Sequence, residues 1–163
     1  MRTLNESDLQ FLSGRRYATL ATQNEDGSLH TTPVWYVFEN GSFYVGAPSW
    51  SRKARNVSVR PTATIIIDTR KPGSERWLSG SGPAEILRDE QSREINSRIL
   101  GRYLTDEAVA DPRVGPAFAA VDDITIRIDP GSWRSWSAID TDKQFFGGLL
   151  TSDPEKWFRP VED

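Results

Sequence analysis

Side chains able to do chemistry are concentrated in one short stretch, Pro48-Ser49-Trp50-Ser51-Arg52-Lys53-Ala54-Arg55-Asn56. Serine is a good N-cap, so the sequence predicts a short helix from about Ser51 to Ser58, with Arg52 and Lys53 in its first turn. That is the wrong end for cations. Free amides and the macrodipole already make a helix start positive, so each basic residue there costs roughly 0.3–1 kcal/mol unless an anion is bound. A serine hydroxyl, a guanidinium, an ammonium and several backbone amides converging on one point describe a phosphate site. For a motif this short taken alone, solvated side chains are the plainer reading; the surrounding pattern shifts the balance toward an anion.

Little else in the chain could carry a reaction. Among 163 residues there is no cysteine, and His30 is the only histidine. This excludes a Cys/His zinc site, a thiolate nucleophile and a disulfide framework. A Ser-His-Asp triad would have to use His30, which lies in an extended segment, and the chain has no nucleophile elbow. His30 and Tyr44 are the only tempting proton donors, so no side chain is assigned as catalytic and no metal site is expected. Chemistry here would rest on a bound cofactor. The formal charge of -3 argues against nucleic-acid binding, which needs a net basic face. No window approaches the ~20 apolar residues of a membrane span, and Met1 to Gln10 is polar, so a cytoplasmic protein is expected. Six tryptophans are a surplus that needs a use.

The elements that must position the basic motif are mostly strands. Arg16 to Gln23, Ser28 to Phe38 and Ser42 to Ala47 alternate in the manner of strands and are separated by Asp26-Gly27 and Asn40-Gly41, dipeptides suited to tight hairpins. Pro33 cannot donate to a ladder, which places it at a sheet edge, a bulge or a spot approached by something other than a strand. After the basic helix come the β-branched run Thr62 to Asp68 and a strand from Glu75 to Leu87, in which Gly80 and Gly82 suggest a bulge or close backbone approach. Asp89 to Leu104 has helical spacing with Asp89 as N-cap, and residues 105 to 120 read as loop plus a short helix. A last hairpin is expected from Ile124–Ile128 and Trp133–Ala138 around Asp129-Pro130-Gly131-Ser132, followed by an irregular tail. The result is a mainly β (α+β) chain of about seven strands in an antiparallel barrel with two or three peripheral helices. Residues 1–140 form the domain, and the tail 141–163 packs on or near the barrel.

In this order the motifs resemble the flavin-binding split-barrel superfamily, the pyridoxamine 5'-phosphate oxidase-like proteins and related deazaflavin (F420) oxidoreductases. The resemblance runs over roughly residues 8 to 138. It is carried by Tyr17-Ala-Thr-Leu-Ala-Thr22, His30-Thr-Thr-Pro-Val-Trp35, Asn40-Gly-Ser-Phe-Tyr-Val45, Ser51-Arg-Lys-Ala-Arg-Asn56, Arg60-Pro-Thr-Ala-Thr-Ile65 and Gly80-Ser-Gly-Pro-Ala-Glu85, with Arg127-Ile-Asp-Pro130 and Trp136 near the end.

The resemblance implies an FMN-binding split-barrel type of fold and a hydride-transferring oxidoreductase acting on a small organic substrate. It puts Thr31, Thr32, Pro33, Val34 and Trp35 against the cofactor ring, and Tyr44 to Gly46 under the ribityl chain. Ser51, Arg52 and Lys53 would hold the phosphate, with Asn56 in the same motif. It also implies a homodimer with cofactor sites at the subunit interface, Trp77 arriving from the other subunit. Trp133 or Trp136 could also reach across; Trp50, Trp133 and Trp157 are otherwise read as packing residues. The chain ends in Phe158-Arg-Pro-Val-Glu-Asp163 without the Arg/Trp segment of true pyridoxamine 5'-phosphate oxidases, so that activity is not expected. Between FMN and F420, 16 arginines against 4 lysines indicate a GC-rich genome of the kind found in F420-using actinobacteria, which favours F420 slightly. The rival class is a flavin, F420 or haem/tetrapyrrole binder without turnover. A haem would need His30, Met1 or a tyrosine as ligand.

Overall fold

Alternation in the first strand decides which way the sheet curls: Ala18, Leu20 and Thr22 are buried, while Thr19 and Ala21 face outward, half-exposed. The same parity holds along Ala63, Ile65 and Ile67, so one face of the sheet closes over an aliphatic core. The computed structural model describes residues 2–162; Met1 and Asp163 lie outside the described residues. Its strands are β1 (Ala18–Gln23), β2 (Leu29–Val34), β3 (Val37–Glu39), β4 (Ser42–Ala47), β5 (Thr62–Thr69), β6 (Arg76–Leu87), β7 (Ile124–Ile128) and β8 (Ser132–Ser137). All pairings are antiparallel, in the order β2-β1-β5-β6-β7-β4-β3, with β8 also on β6. The expected antiparallel split barrel is therefore present.

Two expected strands differ in an informative way. The run Ser28 to Phe38 breaks at Trp35-Tyr36 into β2 and β3, because Tyr36 turns into the core, fully buried, and its hydroxyl donates to the Leu12 carbonyl at 3.0 Å. Pro33 sits in β2, an edge strand that pairs only with β1, one of the places expected for it. The expected last hairpin does not form. β7 and β8 instead follow one another along the same edge of β6, Ala84 opposite Ile128 and Ser81 opposite Ser132. Two residues of β6 thus face three, Asp129 to Gly131, which is a bulge rather than a turn. The Asp129 amide donates to the Pro83 carbonyl at 2.9 Å and the Gly131 amide to the Ser81 carbonyl at 3.0 Å. A side chain at Gly82 would collide with the Asp129 carbonyl. Past this bulge β7 carries β4 on its far edge and β8 carries no strand, so the sheet divides there.

The helices are more numerous than the two or three expected. They are α1 (Glu6–Ser13), α2 (Arg52–Val59), α3 (Asp89–Tyr103), α4 (Asp106–Ala110), α5 (Gly115–Val121), α6 (Ala138–Phe146), α7 (Leu149–Ser152) and α8 (Pro154–Trp157). Asp89 is not the N-cap of α3: Arg88 holds that position without a side-chain cap, and Asp89 adopts a positive φ of 59°. The tail is helical rather than irregular. Gly147 and Gly148, both left-handed, end α6, and the buried Asp142 carboxylate accepts from the Leu150 and Thr151 amides, folding α7 back. The tail rejoins the barrel where the Ala138 amide donates to the Glu75 carbonyl and where Pro154 lies against Gly73. Two apolar clusters result: the barrel interior around Leu20, Phe43, Ile65 and Ile126, and a smaller one of Val37, Ile95 and Ile99 under α3. Among the described residues no helix is long and apolar enough to cross a membrane, and no group of His, Cys, Asp or Glu could hold a metal ion.

α1 is fastened to β6 by charge. Asp8, fully buried, accepts from Arg2 and Arg76, both at 2.8 Å, and from the Asn5 amide in a capping box. Burial alone would raise its pKa; the Asn5 amide and the two guanidiniums outweigh that and hold it below the ordinary carboxylate value. A depressed folded-state pKa stabilises above the unfolded value and is lost as pH falls through the folded one. Asp8→Asn should therefore destabilise by about 2–3 kcal/mol at neutral pH, short of the full cost of breaking a buried pair because both arginines reach solvent. The difference from wild type should shrink as denaturation is repeated toward acid pH.

For the bulge, Gly82→Ala should cost about 1–3 kcal/mol in urea denaturation, because backbone must move. Gly101→Ala, in the last turn of α3 with nothing within 4 Å of the added methyl, should instead gain about 0.5 kcal/mol.

Candidate functional site

α2 is held by its own buried face. Ala54 and Val57 pack inward, and the Asn56 amide nitrogen donates to the Thr22 hydroxyl at 3.0 Å and the Asn24 side-chain oxygen at 2.9 Å. Ser51 is the N-cap, as its residue type predicts: its hydroxyl accepts from the Ala54 amide at 3.4 Å and its own amide donates to the Pro48 carbonyl. The amides of Arg52 and Lys53, first in the helix, have no carbonyl one turn back to bond.

From this fixed start the two cations diverge. Lys53 enters a cavity of about 240 Å³ lined by Tyr17, Pro33, Val34, Trp35, Gly46, Ile99, Phe118 and Asp122. Trp35 forms its flat wall, stacked on Tyr103 at 5.0 Å with the rings nearly parallel and 5.5 Å from Phe118. Tyr103 is anchored behind it by donating to the Arg16 carbonyl at 2.6 Å. Gly46 keeps the floor open, since a Cβ there would lie 3.1 Å from an Asp122 carboxylate oxygen and 3.2 Å from the Asn96 amide oxygen. Arg52 faces the other way, into a groove of about 540 Å³ with Arg55, Arg60, Asn56, Asn24 and Asp26. Arg60 donates one Nη to the Glu25 carbonyl at 3.3 Å, and its other Nη is buried with no partner.

The electrostatics of the aromatic cavity are unresolved by the chain itself. Burial lowers the pKa of Lys53, against the opposing charge of Asp122. Burial raises the pKa of Asp122, opposed by Lys53 and reinforced by neighbouring Asp123. Among the described residues the two make no ion pair with each other within 4 Å, and neither side chain has a hydrogen-bond partner.

The structure thus brings five of the residues singled out from sequence, Pro33, Val34, Trp35, Gly46 and Lys53, around one cavity. Arg52 and Asn56 line the adjacent groove, with Ser51 capping the helix between them. Thr31 and Thr32 lie further up the edge strand, opposite Ala21 and Leu20. Tyr44 packs into the α3 cluster rather than the cavity. Trp77 stands on β6 between Asp68 and Trp136, with β5 and β1 separating its strand from β2, about 14 Å away at ordinary strand spacing. Of the tryptophans read as packing, Trp133 abuts Phe38 and Phe43, Trp50 is exposed, and Trp157 lies under Lys156. His30 sits half-exposed in β2. Sequence reasoning missed Phe118 and Asp122. Phe118 lies in the segment 105–120 that reads as loop plus a short helix and Asp122 just past it, and only the packing of α5 against α3 carries them to Trp35.

A bipartite ligand suits this arrangement: a planar aromatic part against Trp35, an anionic group at the start of α2, and further negative charge along the arginine groove. The pyridoxamine 5'-phosphate oxidase family profile matches residues 4–136. No curated protein matches. A conserved hypothetical protein from Mycobacterium tuberculosis is 25% identical over 83% of this chain and 86% of its own, with a TM-score of 0.68. An F420 reductase is 22% identical over 80% and 98%, with a TM-score of 0.64. HutZ, the haem storage protein of Vibrio cholerae, is 17% identical over 84% and 95%, with a TM-score of 0.62. At those identities the last two share the fold alone. The profile spans most of the sequence, including both walls of the aromatic cavity and all of α2, and the chain belongs to the pyridoxamine 5'-phosphate oxidase family.

Proposed function

We infer that the protein is an oxidoreductase that binds F420 or FMN and acts on a small organic substrate, with F420 favoured. The observation that carries this reading is the divergence of successive residues Lys53 and Arg52 into an aromatic cavity and a three-arginine groove. When bound, the ring of either cofactor would supply the acceptor or donor of a hydride. The chain's part is to orient and exclude water: Trp35 offers a flat wall, Pro33 and Val34 offer edge-strand backbone, and Lys53 with the first amides of α2 offers charge to a phosphate.

The donor set fits such a group. FMN carries one phosphate, which the start of α2 could satisfy alone. Arg55, Arg60 and the unpartnered Arg60 Nη exceed that need and suit the longer anionic tail of F420. Of the haem ligands the sequence offers, His30 lies in β2 away from the cavity lining and Tyr17 lines it, so a haem would depend on a tyrosine.

The outer face of the sheet supports a homodimer. Thr19, Ala21, Thr64, Ile66, Ser79 and Ser81 are cross-strand neighbours there, small or apolar, uncharged and half-exposed. Thr31 and Pro33 of β2 and Trp77 of β6 share that face by register, with the charged Asp68 and Arg134 beside them. Packing two such faces together would let Trp77 of one subunit approach β2 of the other, as the resemblance implies. Ala21→Arg, which puts a charge on the face, should turn a dimer into a monomer in light scattering; a wild-type monomer would contradict the shared site.

Binding tests the rest. Wild type should bind F420 more tightly than FMN. Arg52→Glu/Lys53→Glu should abolish binding of both, whereas Arg55→Glu/Arg60→Glu should weaken F420 at least about tenfold and FMN much less, from loss of charge-assisted contacts. Equal loss for both cofactors would remove the preference for F420. Binding without turnover of quinones, enones or tetrapyrroles by the reduced cofactor would assign the chain to non-catalytic carriers instead.

A further inference from the structure

Asp122 has no role in the binding scheme above, yet it stands in the same cavity as Lys53. It is brought there by α5, whose last turn it follows, its backbone amide donating to the Phe118 carbonyl at 3.0 Å and its carbonyl accepting from Asn96 at 2.7 Å. The backbone is therefore fixed on both sides while the carboxylate is left without a hydrogen-bond donor among the described residues. The groups that face it are Lys53 from α2, Tyr17 from the segment before β1, its neighbour Asp123 and the neutral Asn96 from α3. Asp123 is itself engaged elsewhere, accepting from the Ser49 amide and hydroxyl. Among the described residues Lys53 is thus the single cation that opposes the Asp122 charge.

We propose that Asp122 couples ligand binding to a proton: an anionic group that takes Lys53 leaves the Asp122 carboxylate facing negative charge, and Asp122 then takes up one proton, so that the cavity accepts its anion and a proton together. This rests on the cofactor reading above. The half-buried setting already pushes Asp122 above the ordinary carboxylate value before any ligand arrives. Removing the one group that opposes this shift pushes it further up. A site that binds a proton more tightly when liganded binds its ligand more tightly when protonated. Affinity should therefore fall with rising pH, by up to about tenfold per pH unit between the free and liganded titrations of Asp122. The protonated carboxyl also becomes a hydrogen-bond donor to the bound group, which the carboxylate is not.

The test compares wild type with Asp122→Asn, a change of equal shape at a side chain that makes no hydrogen bond. F420 and FMN are titrated from about pH 4.5 to 8, a span that covers a raised carboxyl. Proton uptake is read by calorimetry in two buffers of different ionisation enthalpy. Wild type should take up close to one proton more than the variant in part of this range, and the variant should bind F420 at least about tenfold tighter at the alkaline end. Identical pH slopes and identical proton uptake overturn the proposal while leaving the cofactor reading intact.

If neither cofactor binds wild type at any pH, the cofactor reading fails, and the proton coupling is decided without it. The Asp122 carboxyl carbon is followed by NMR in the ligand-free protein, in Lys53→Gln and with inorganic phosphate added. Titration moved to higher pH by both changes supports the coupling. Titration unmoved by either overturns it.

Discussion

The hydrogen bonds from Asn56 to Thr22 and Asn24 fix α2 against β1, and the rest of the site depends on that attachment. With the helix unable to rotate, Arg52 and Lys53 cannot both turn to solvent, and one cation is carried into an aromatic cavity that makes its charge costly. No acid side chain lies in the first turn of α2 to offset the macrodipole, and burial already lowers the pKa of Lys53. The only carboxylate in that cavity, Asp122, is half-buried as well and makes no contact with Lys53 within 4 Å. A phosphate would relieve the uncompensated helix start and the buried Lys53 charge together, which is a stronger reason to expect one than the motif Ser51-Arg52-Lys53 by itself.

The sheet supplies the other half of the site through its division at the bulge opposite Gly82. Because β7 continues onto β4 while β8 does not, β4 is turned back toward the end of β2, and Gly46 comes to lie across from Trp35. The break at Tyr36 serves the same end. Burying Tyr36 leaves Trp35 to stack on Tyr103 and Phe118 and to line the cavity with Phe118. Local turns in the backbone thus convert a simple meander into a cleft bounded by one strand edge, one helix start and one aromatic wall.

Most of this frame was legible in the residues. Paired strands with Asp26-Gly27 and Asn40-Gly41 between them, an edge at Pro33, and a helix capped by Ser51 all follow from short-range chemistry, and the structure places them as expected. What was not legible depends on contacts between distant segments. Asp129-Pro130-Gly131-Ser132 has the composition of a hairpin turn, and only the register along β6 reveals a bulge. The tail reads as irregular because α7 is organised by Asp142, eight residues ahead of the Leu150 amide it accepts from. Asp122 carries no signal at all in one dimension; its place is set by α5 packing on α3.

The anion assignment at the start of α2 is most directly tested by a crystal structure of the protein grown with F420. The phosphate is predicted within hydrogen-bond distance of Lys53 and the first amides of α2, the ring against Trp35, and the tail along Arg52, Arg55 and Arg60. A cofactor bound with its phosphate away from α2, or with its ring outside the Trp35 cavity, would contradict the assignment.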